Sequence, residues 1–293
     1  MSDESLLRAD IVEVGRRMYA RGYTASNDGN ISVRLGSDRL LMTPKSVCKG
    51  FMTPEMMCIT DLEGRKLQGD RDPSSEMLMH LEVYRQRPDV QAVVHAHPPT
   101  ATGFAVAGIP LDRAVLAEVL TTLGSIPIAE YATPSTTELP QAVRKYIKAH
   151  DGMLLANHGA LTVGGDLYGA YYKMETIEHF AKISLVARLL GRENLLSREE
   201  VTRLQGLRGS YGIKAPAPIC PETETISGSG PKFGSDLDPV PDQSCQVVQA
   251  PPGAGSRLVP DTAAAKPSAE AEEIRLTYRE LSALIEDAVR NLR

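Results

Sequence analysis

The sequence predicts an α/β fold for residues 1–215, a flexible linker for residues 216–273 and a short amphipathic helix for residues 274–293. The α/β prediction rests on short apolar runs typical of strands, which alternate with segments whose apolar residues recur at helical spacing. The other two predictions rest on an abrupt change of composition near Ala215 and on the return of helical spacing at Ile274. A length of 293 residues suits one large domain or one medium domain with an appendage.

Composition narrows the class of protein. Apolar residues make up 42% of the chain and charged residues 24%, as in ordinary globular proteins. A formal net charge of -5 predicts no basic surface for nucleic acid, and no apolar run is long enough to span a membrane. The acidic N-terminus lacks the apolar region of a signal peptide. Four cysteines without C-x-x-C spacing predict reduced thiols in a cytoplasmic protein.

The first elements are a helix, a loop and paired strands. Apolar residues between Leu6 and Tyr19 predict a helix over residues 5–21, which Gly22 ends. A loop of small turn formers follows over residues 25–30. That loop fits either plain turn chemistry or a site that presents amide groups to an anion. The next predicted elements are a strand over 31–35, a hairpin over 34–42 and a strand over 56–60.

The stretch Pro73-Ser74-Ser75-Glu76 opens a second predicted helix, whose apolar face begins at Met77. Either serine is expected to cap the helix, and a helix N-terminus with two hydroxyl groups also suits an anion. Glu76 is expected in the first turn, where a carboxylate favours the helix dipole. His80, one turn further on, is interpreted as a residue that packs the helix.

Two histidines stand where a buried strand is predicted to end. The apolar run from Val90 to Ala96 predicts that strand, and Pro98 follows it. Alternate residues of a strand point to the same side, so His95 and His97 are expected to lie side by side. Taken alone, this spacing fits either a metal site or two ordinary surface histidines.

A third histidine follows another buried strand. Residues 152–156 form a nearly continuous apolar run, which predicts a strand buried on both faces, and Asn157-His158-Gly159 comes next. Three histidines and the carboxylate of Glu76 suit zinc, either with four protein ligands or with one position open to substrate.

The remaining elements of the domain are predicted from the same patterns. Helices are expected over residues 100–107, 138–150, 167–190 and 197–207, with an apolar segment over 111–123 and a short strand over 126–131.

The residue pattern of the C-terminal part changes at residue 216 and again at residue 274. Residues 216–273 hold 10 of the 20 prolines and no apolar periodicity, so this segment cannot bury enough surface to fold. From Ile274 to Leu292 the apolar residues recur at spacings of three and four, which predicts a narrow apolar stripe on a helix of about 20 residues.

Together these motifs resemble the class II aldolase/adducin family over residues 5 to about 215. The stretch from Asp28 to Arg34 stands where that family has its glycine-asparagine phosphate loop. Pro73–Glu76 matches its serine pair and catalytic glutamate, and Val94–His97 with Asn157–Gly159 match its three zinc histidines. Ser210-Tyr211-Gly212 matches a C-terminal tyrosine that serves the active site.

The resemblance implies an α/β/α sandwich on a central, mostly antiparallel sheet. It also implies a homotetramer with active sites at subunit interfaces. The implied cofactor is Zn²⁺, held by His95, His97, His158 and Glu76. The implied catalytic residues are Glu76 and Tyr211, and the implied phosphate-binding residues are Asn27, Gly29, Asn30, Ser74 and Ser75.

The activity implied is zinc-dependent retro-aldol cleavage of a ketose 1-phosphate of the fuculose or rhamnulose type. Its products would be dihydroxyacetone phosphate and an aldehyde such as lactaldehyde. The alternatives are a pentulose-phosphate 4-epimerase, a decarboxylase of the same family, or a non-catalytic adducin-like scaffold. In the epimerases an aspartate tends to stand at the position of Glu76, which favours an aldolase. A scaffold would not need the three histidines, Glu76 and both serines.

The sequence departs from the aldolase pattern in two places. Lys45-Ser46 stands where the aldolases commonly have Thr-Gly, which affects the outer contacts to phosphate. Residues 111–125 do not align well, and no counterpart of the aldolase interface tyrosine is found there.

The tail suggests a partner. A proline-rich linker that ends in a short amphipathic helix resembles the encapsulation peptides that carry cargo enzymes into bacterial microcompartments. Residues 274–293 are therefore predicted to bind a shell protein, which would place the enzyme in the cytoplasm inside such a compartment. The alternative is a helix that packs on its own tetramer, because an isolated helix of about 20 residues is marginally stable.

Overall fold

The structure is a computed structural model that describes residues 3–210 and residue 213. Tyr211, the linker over 216–273 and the helix over 274–293 lie outside the described residues. Within the described part of the chain, none of the helices is both long and apolar enough to cross a membrane.

The described part of the chain contains eight strands and seven α-helices. The helices are α1 (Asp3–Ala20), α2 (Met77–Gln86), α3 (Pro99–Ala107), α4 (Ala117–Thr122), α5 (Glu138–Ile147), α6 (Leu167–Leu189) and α7 (Arg198–Leu207). The strands are β1 (Asn30–Leu35), β2 (Arg39–Met42), β3 (Cys58–Asp61), β4 (Lys66–Gln68), β5 (Ala92–Ala96), β6 (Ile128–Ala129), β7 (Gly152–Leu155) and β8 (Gly159–Gly164).

All eight strands form one sheet in the order β4-β3-β2-β1-β5-β8-β7-β6. Every neighbouring pair is antiparallel except β6 with β7. The expected mostly antiparallel central sheet is therefore confirmed. The strand β5 lies at its centre, between β1 and β8, and all five of its residues are buried.

Side chains alternate between the two faces of the sheet, so each face has its own apolar core. On one face, Val94 of β5 belongs to a core that includes Ile11 of α1 and Ile177 of α6. On the other face, Val93 belongs to a core that includes Leu81 of α2 and several residues of α5. The sheet thus separates two helical layers, which is the α/β/α sandwich that the resemblance implied.

The register of the central strands brings distant residues together. Asn30 at the start of β1 pairs with His95 near the end of β5, and Ala96 pairs with Ala160 of β8. His158 lies in the short turn between β7 and β8, so it reaches the same end of the sheet. Antiparallel pairing therefore brings the ends of three central strands together at one end of the sheet.

Several boundaries differ from those predicted. The strand predicted over 56–60 is β3, which starts at Cys58 after a 3₁₀ turn at Pro54–Met56. Neither β4 nor β8 was predicted. The strand β4 is exposed and carries no apolar signal. The strand β8 follows β7 so closely that its apolar residues were not recognised as a second element.

The start of α2 corrects the predicted cap. The helix begins at Met77, and Glu76 occupies the cap position without a side-chain capping hydrogen bond. Ser74 and Ser75 therefore lie in the preceding turn, and Glu76 lies just outside the helix rather than in its first turn. This placement frees the Glu76 carboxylate to point away from the helix end.

A buried glutamate of α6 fixes the helix that follows His97 and Pro98. The carboxylate of Glu178 is fully buried and accepts hydrogen bonds from the N–H groups of Thr100, at 3.2 Å, and Ala101, at 2.8 Å. Both donors lie in the first turn of α3, where the backbone N–H groups have no partner within the helix. Lys182 lies 3.3 Å from the same carboxylate but is largely exposed.

We expect Glu178→Ala to lower the free energy of unfolding by about 3 kcal/mol, because one buried and one half-buried N–H donor lose a charged acceptor. The matched control Lys182→Ala removes only the exposed partner and should cost less than about 1 kcal/mol. Urea unfolding followed by circular dichroism measures both variants. Similar losses in the two variants would show that Glu178 does not stabilise α3 in this way.

Candidate metal centre and active site

Three histidine side chains converge at the end of the sheet where β1, β5 and β8 meet. His95 lies one residue before the end of β5 and is fully buried, while His97 and His158 are partly exposed. Their ring centroids lie 4.9 Å (His95 to His97), 4.7 Å (His95 to His158) and 5.1 Å (His97 to His158) apart. One ring nitrogen from each lies within 4.8 Å of the other two. The structure thus brings together the three histidines that the sequence singled out.

The carboxylate of Glu76 faces this cluster. Its Oε2 lies 3.3 Å from Nε2 of His95, and its Oε1 lies 3.1 Å from Nε2 of His158. Oε1 is buried and has no hydrogen bond of acceptable geometry, although His158 is close. One carboxylate oxygen is therefore held in the centre of the site without a donor.

These four side chains fit a divalent metal ion. Ligand atoms about 2.0–2.1 Å from a tetrahedral zinc ion lie about 3.4 Å apart. The Nε2 atoms of His95 and His97 are 3.1 Å apart, and the two contacts of Glu76 have similar lengths. The buried oxygen without a donor is a further sign of fit, since such an atom is costly to leave unpaired.

On the far side of two of the histidine rings the ring nitrogen faces an oxygen atom, as is common in metal-binding histidines. Nδ1 of His95 lies 2.9 Å from the carbonyl oxygen of Ala160, and Nδ1 of His97 lies 3.3 Å from a carboxylate oxygen of Asp28. An N–H at each Nδ1 leaves the Nε2 lone pairs directed at the centre. A side chain at Gly159 would collide with this arrangement, because its Cβ would lie 2.5 Å from the carbonyl oxygen of Ala96.

The ionisation of Glu76 and of His97 suits a metal, whereas a metal would have to displace a proton that His95 tends to hold. Burial opposes the charge of Glu76, but His95 and His158 outweigh it and hold the pKa of this carboxyl well below its usual range. Burial, and then the charges of the other two histidines, lower the pKa of His97 to about 4. Burial opposes the charge of His95 too, yet Glu76 keeps the pKa of His95 above its usual value. An ionised carboxylate and a neutral imidazole are the forms that bind metal.

Three loops meet beside the histidines. The hydroxyl of Thr43 accepts the N–H of Ile31 at 3.0 Å, which fixes the 43–46 loop to the start of β1. The N–H of Ser74 donates to the carbonyl oxygen of Thr43 at 3.2 Å, and the N–H of Lys45 donates to that of Asp72 at 2.9 Å. The loops over residues 27–30, 43–46 and 73–76 therefore form one rim.

The residues predicted to bind phosphate lie on this rim at different depths. Asn27 and Ser75 are exposed, whereas Ser74 is buried and its hydroxyl accepts the N–H of Glu76 at 3.3 Å. Gly29 is buried with φ of 71°, and a Cβ there would lie 2.8 Å from the carbonyl oxygen of His95. Only glycine allows the loop to approach the strand this closely.

Asn30 is placed differently from the other rim residues. Its amide nitrogen donates to Oε2 of Glu76 at 2.8 Å, and its amide oxygen contacts Nε2 of His80. Both ends of the side chain are therefore engaged inside the protein. Sequence reasoning missed this arrangement, because it assigned His80 to helix packing; the four-residue spacing from Glu76 is the signal that could have suggested it.

Lys49 is a second residue that sequence reasoning missed. It is buried, and its ammonium donates to the carbonyl oxygens of Asn27, at 3.2 Å, and Val47, at 2.6 Å. Burial lowers the pKa of this lysine to about 8. Among the described residues no carboxylate forms a salt bridge with it. Since Lys49 lies in a short 3₁₀ turn, no periodicity marked it in the sequence.

The two departures noted in the sequence have structural counterparts. Ser46 has φ of 58°, the left-handed conformation that favours glycine, so the turn is kept although the aldolase glycine is replaced. Lys45 is exposed on the rim. In the poorly aligned region, the short helix α4 spans Ala117–Thr122.

The fold and the arrangement of the site define a class of protein, and comparison with known proteins gives the same class. Residues 9–185 match the family described as Class II Aldolase and Adducin N-terminal domain, so the chain belongs to this family.

Individual relatives fall into more than one reaction type. The chain is 32% identical over 190 residues to 3-oxo-tetronate 4-phosphate decarboxylase of Pectobacterium atrosepticum, covering 64% of this chain and 87% of the relative. It is 33% identical over 206 residues to 5-deoxy-D-ribulose 1-phosphate aldolase of Bacillus thuringiensis, covering 70% and 96%. A solved structure of L-fuculose 1-phosphate aldolase is similar with a TM-score of 0.65 and 30% identity, covering 70% and 96%.

Proposed function

We propose that the protein is a zinc-dependent aldolase that cleaves a ketose 1-phosphate to dihydroxyacetone phosphate and an aldehyde. The observation that carries the proposal is the convergence of His95, His97 and His158 around the carboxylate of Glu76. The sugar aldolases among the relatives support the reaction type. Fuculose and rhamnulose 1-phosphates, which release lactaldehyde, are the proposed substrates, and a 5-deoxypentulose phosphate is a related candidate.

The three histidines and Glu76 would hold Zn²⁺. When bound, zinc supplies a Lewis acid that withdraws electrons from the carbonyl of the substrate. Histidine and carboxylate ligands together suit zinc among the common divalent ions.

The rim would bind the phosphate group. The proposed contacts are the exposed Asn27 and Ser75, together with Gly29, Ser74 and Asn30, which are buried. The buried ammonium of Lys49 supports the assignment, because it places a positive charge under the Asn27 loop without a carboxylate partner. A phosphate dianion on the rim would supply the missing opposite charge.

Glu76 would move the proton. During cleavage the bond between C3 and C4 breaks, the hydroxyl on C4 gives up its proton and C3 gains one, so the reaction is proton-neutral overall. Glu76 would hold the metal at rest and, displaced by the substrate, would take up the released proton and deliver it to C3. Tyr211, which lies outside the described residues, is proposed to orient the departing aldehyde. A homotetramer that completes each site at a subunit interface is part of the same proposal.

Decarboxylation of a 3-oxo-acid phosphate is the second candidate, because several relatives are named for that activity. Both reactions break a carbon–carbon bond next to a carbonyl group and leave negative charge on carbon, so the same metal and carboxylate would serve either. The substrates differ in the group that leaves, which is an aldehyde in one case and carbon dioxide in the other.

A product assay separates the candidates. The purified protein is loaded with zinc and incubated with fuculose, rhamnulose and 5-deoxyribulose 1-phosphates and with a 3-oxo-tetronate 4-phosphate. Release of dihydroxyacetone phosphate from a ketose phosphate is the expected result, and removal of zinc with a chelator should abolish it. Release of carbon dioxide alone would assign the protein to the decarboxylases.

We further propose that residues 274–293 bind a microcompartment shell protein. The sequence pattern supports this proposal, since a linker with 10 prolines separates the helix from the domain. Fusion of residues 274–293 to a fluorescent protein should direct it to shells, and deletion of 216–293 should leave an active enzyme outside them. An unchanged distribution after deletion, or loss of the tetramer, would indicate a helix that packs on its own assembly.

A further inference from the structure

A line of buried polar groups runs from α2 to the carboxylate of Glu76. Tyr84 OH donates to the carbonyl oxygen of Ser32 at 3.0 Å and lies 2.9 Å from its Oγ. Oγ of Ser32 lies 2.7 Å from Nδ1 of His80, and Nε2 of His80 contacts the amide oxygen of Asn30. The amide nitrogen of Asn30 then donates to Oε2 of Glu76. Four of these five residues are at least nine-tenths buried, Glu76 being the exception.

Two periodicities produce this line. Asn30 and Ser32 are alternate residues of β1 and so point to the same face of the sheet. His80 and Tyr84 are four residues apart on α2 and so lie on the same side of the helix. Because α2 packs on that face of the sheet, the two pairs meet.

The direction of each hydrogen bond follows from the carboxylate. An ionised carboxylate only accepts, so Asn30 must turn its NH₂ group towards Glu76 and its oxygen towards His80. His80 must then donate from Nε2. A neutral imidazole that donates from one nitrogen accepts at the other, so Nδ1 receives the proton of the Ser32 hydroxyl.

His80 is suited to this role because it stays neutral. Burial, together with the charge of His95, lowers the pKa of His80 to about 3. With the opposite tautomer, the ring would present a lone pair to the oxygen of Asn30. The amide would then gain by rotating, and its oxygen would face the carboxylate of Glu76, which is repulsive.

We propose that His80, in the Nε2–H tautomer whose Nδ1 accepts the hydroxyl of Ser32, is a positioning residue of the active site that orients Asn30 to clamp Oε2 of Glu76. The clamp fixes Oε2 and so sets the plane of the carboxylate, in which Oε1 faces Nε2 of His158. This inference rests on the proposed function for its catalytic consequence, but the tautomer of His80 and the orientation of Asn30 are properties of the folded chain alone.

The catalytic consequence is tested by kinetics on zinc-loaded protein. His80→Leu should lower kcat and the rate of proton exchange at dihydroxyacetone phosphate roughly 100-fold, in the range of outer-sphere substitutions at metal sites. KM and zinc content should change little. His80→Gln, whose amide can donate to Asn30, should recover most of the rate. Tyr84→Phe is the matched control, since it removes a buried hydroxyl but keeps both donors nearest Glu76.

The order of the losses in these variants decides whether His80 positions Asn30. A graded loss, largest in His80→Leu, smaller in Ser32→Ala and least in Tyr84→Phe, supports the positioning role if it does not follow the order of the melting temperatures. Wild-type exchange in folded His80→Leu, or equal losses in the leucine and glutamine variants, would overturn it. If His80→Leu fails to fold, wild-type exchange in Ser32→Ala overturns the proposal, and a loss there with recovery in His80→Gln supports it.

A spectroscopic test does not depend on the reaction. In protein labelled with ¹⁵N-histidine, the resonances that disappear in His80→Gln belong to His80. They should show a protonated Nε2 and an unprotonated Nδ1, and the reverse tautomer would overturn the inference. If the unmutated protein neither cleaves ketose phosphates nor exchanges the proton, the proposed function fails, and the tautomer still decides the arrangement around Asn30.

Discussion

Replacing His95 or His158 by alanine should remove most of the bound zinc and nearly all cleavage while leaving the protein folded. Each variant deletes one of the converging nitrogen atoms, so a tetrahedral ion would keep too few protein ligands. We expect kcat/KM to fall by roughly 10³-fold or more, because the electrophile that stabilises the developing charge is lost. Metal analysis and the release of dihydroxyacetone phosphate measure the two effects.

A surface histidine provides the control for these variants. His179 is exposed on α6 and is not one of the converging histidines, so His179→Ala should keep both zinc and activity. Circular dichroism should show the same fold in all variants, since the apolar cores on both faces of the sheet are untouched. Full activity in a metal-free double variant of His95 and His158 would refute the metal centre.

Glu76→Gln should separate binding from proton transfer. The amide has nearly the shape of the carboxylate and can still accept the hydrogen bond of Asn30 through its oxygen. It cannot carry a proton to C3, so proton exchange at dihydroxyacetone phosphate should fall by roughly 10²- to 10⁴-fold. Binding of dihydroxyacetone phosphate, measured by calorimetry on zinc-loaded protein, should change little because the rim is intact.

Glu76→Asp is the comparison for that variant. It keeps the negative charge at the end of α2 but withdraws the carboxylate from the centre of the site, so exchange should be partly retained. Exchange at the unmutated rate in Glu76→Gln would mean that Glu76 contributes only charge at the helix end. Loss of phosphate binding in the same variant would place Glu76 on the rim.

Much of the fold followed from patterns that reflect local physics. The buried strands β5 and β7 have apolar runs, and the alternation of strand side chains correctly placed His95 and His97 together. Helices α1, α5 and α6 begin and end within about three residues of their predicted limits, because their apolar faces and flanking turn residues are strong signals.

The rest of the fold and of the site depends on strand pairing and long-range contacts, for which no single segment of the sequence carries a signal. Strand β4 has only exposed side chains and exists because its backbone pairs with β3. The cap of α2 could not be found from the two serines, since the turn that precedes it is fixed by the Thr43 loop. The orientation of Asn30 depends on His80, 50 residues away, and no local pattern links them.

The pairing at the centre of the sheet also bears on how the protein would acquire its metal during synthesis. Asn30 pairs with His95, and Ala96 pairs with Ala160, so each pairing closes a loop of more than 60 residues. Such distant pairings form late, because the entropy of closing the loop is lost before the contacts form. The ribosome must also release His158 before the cluster can exist. Metal capture should therefore be a late step in folding, and cells starved of zinc should accumulate folded but inactive protein that recovers when zinc is restored.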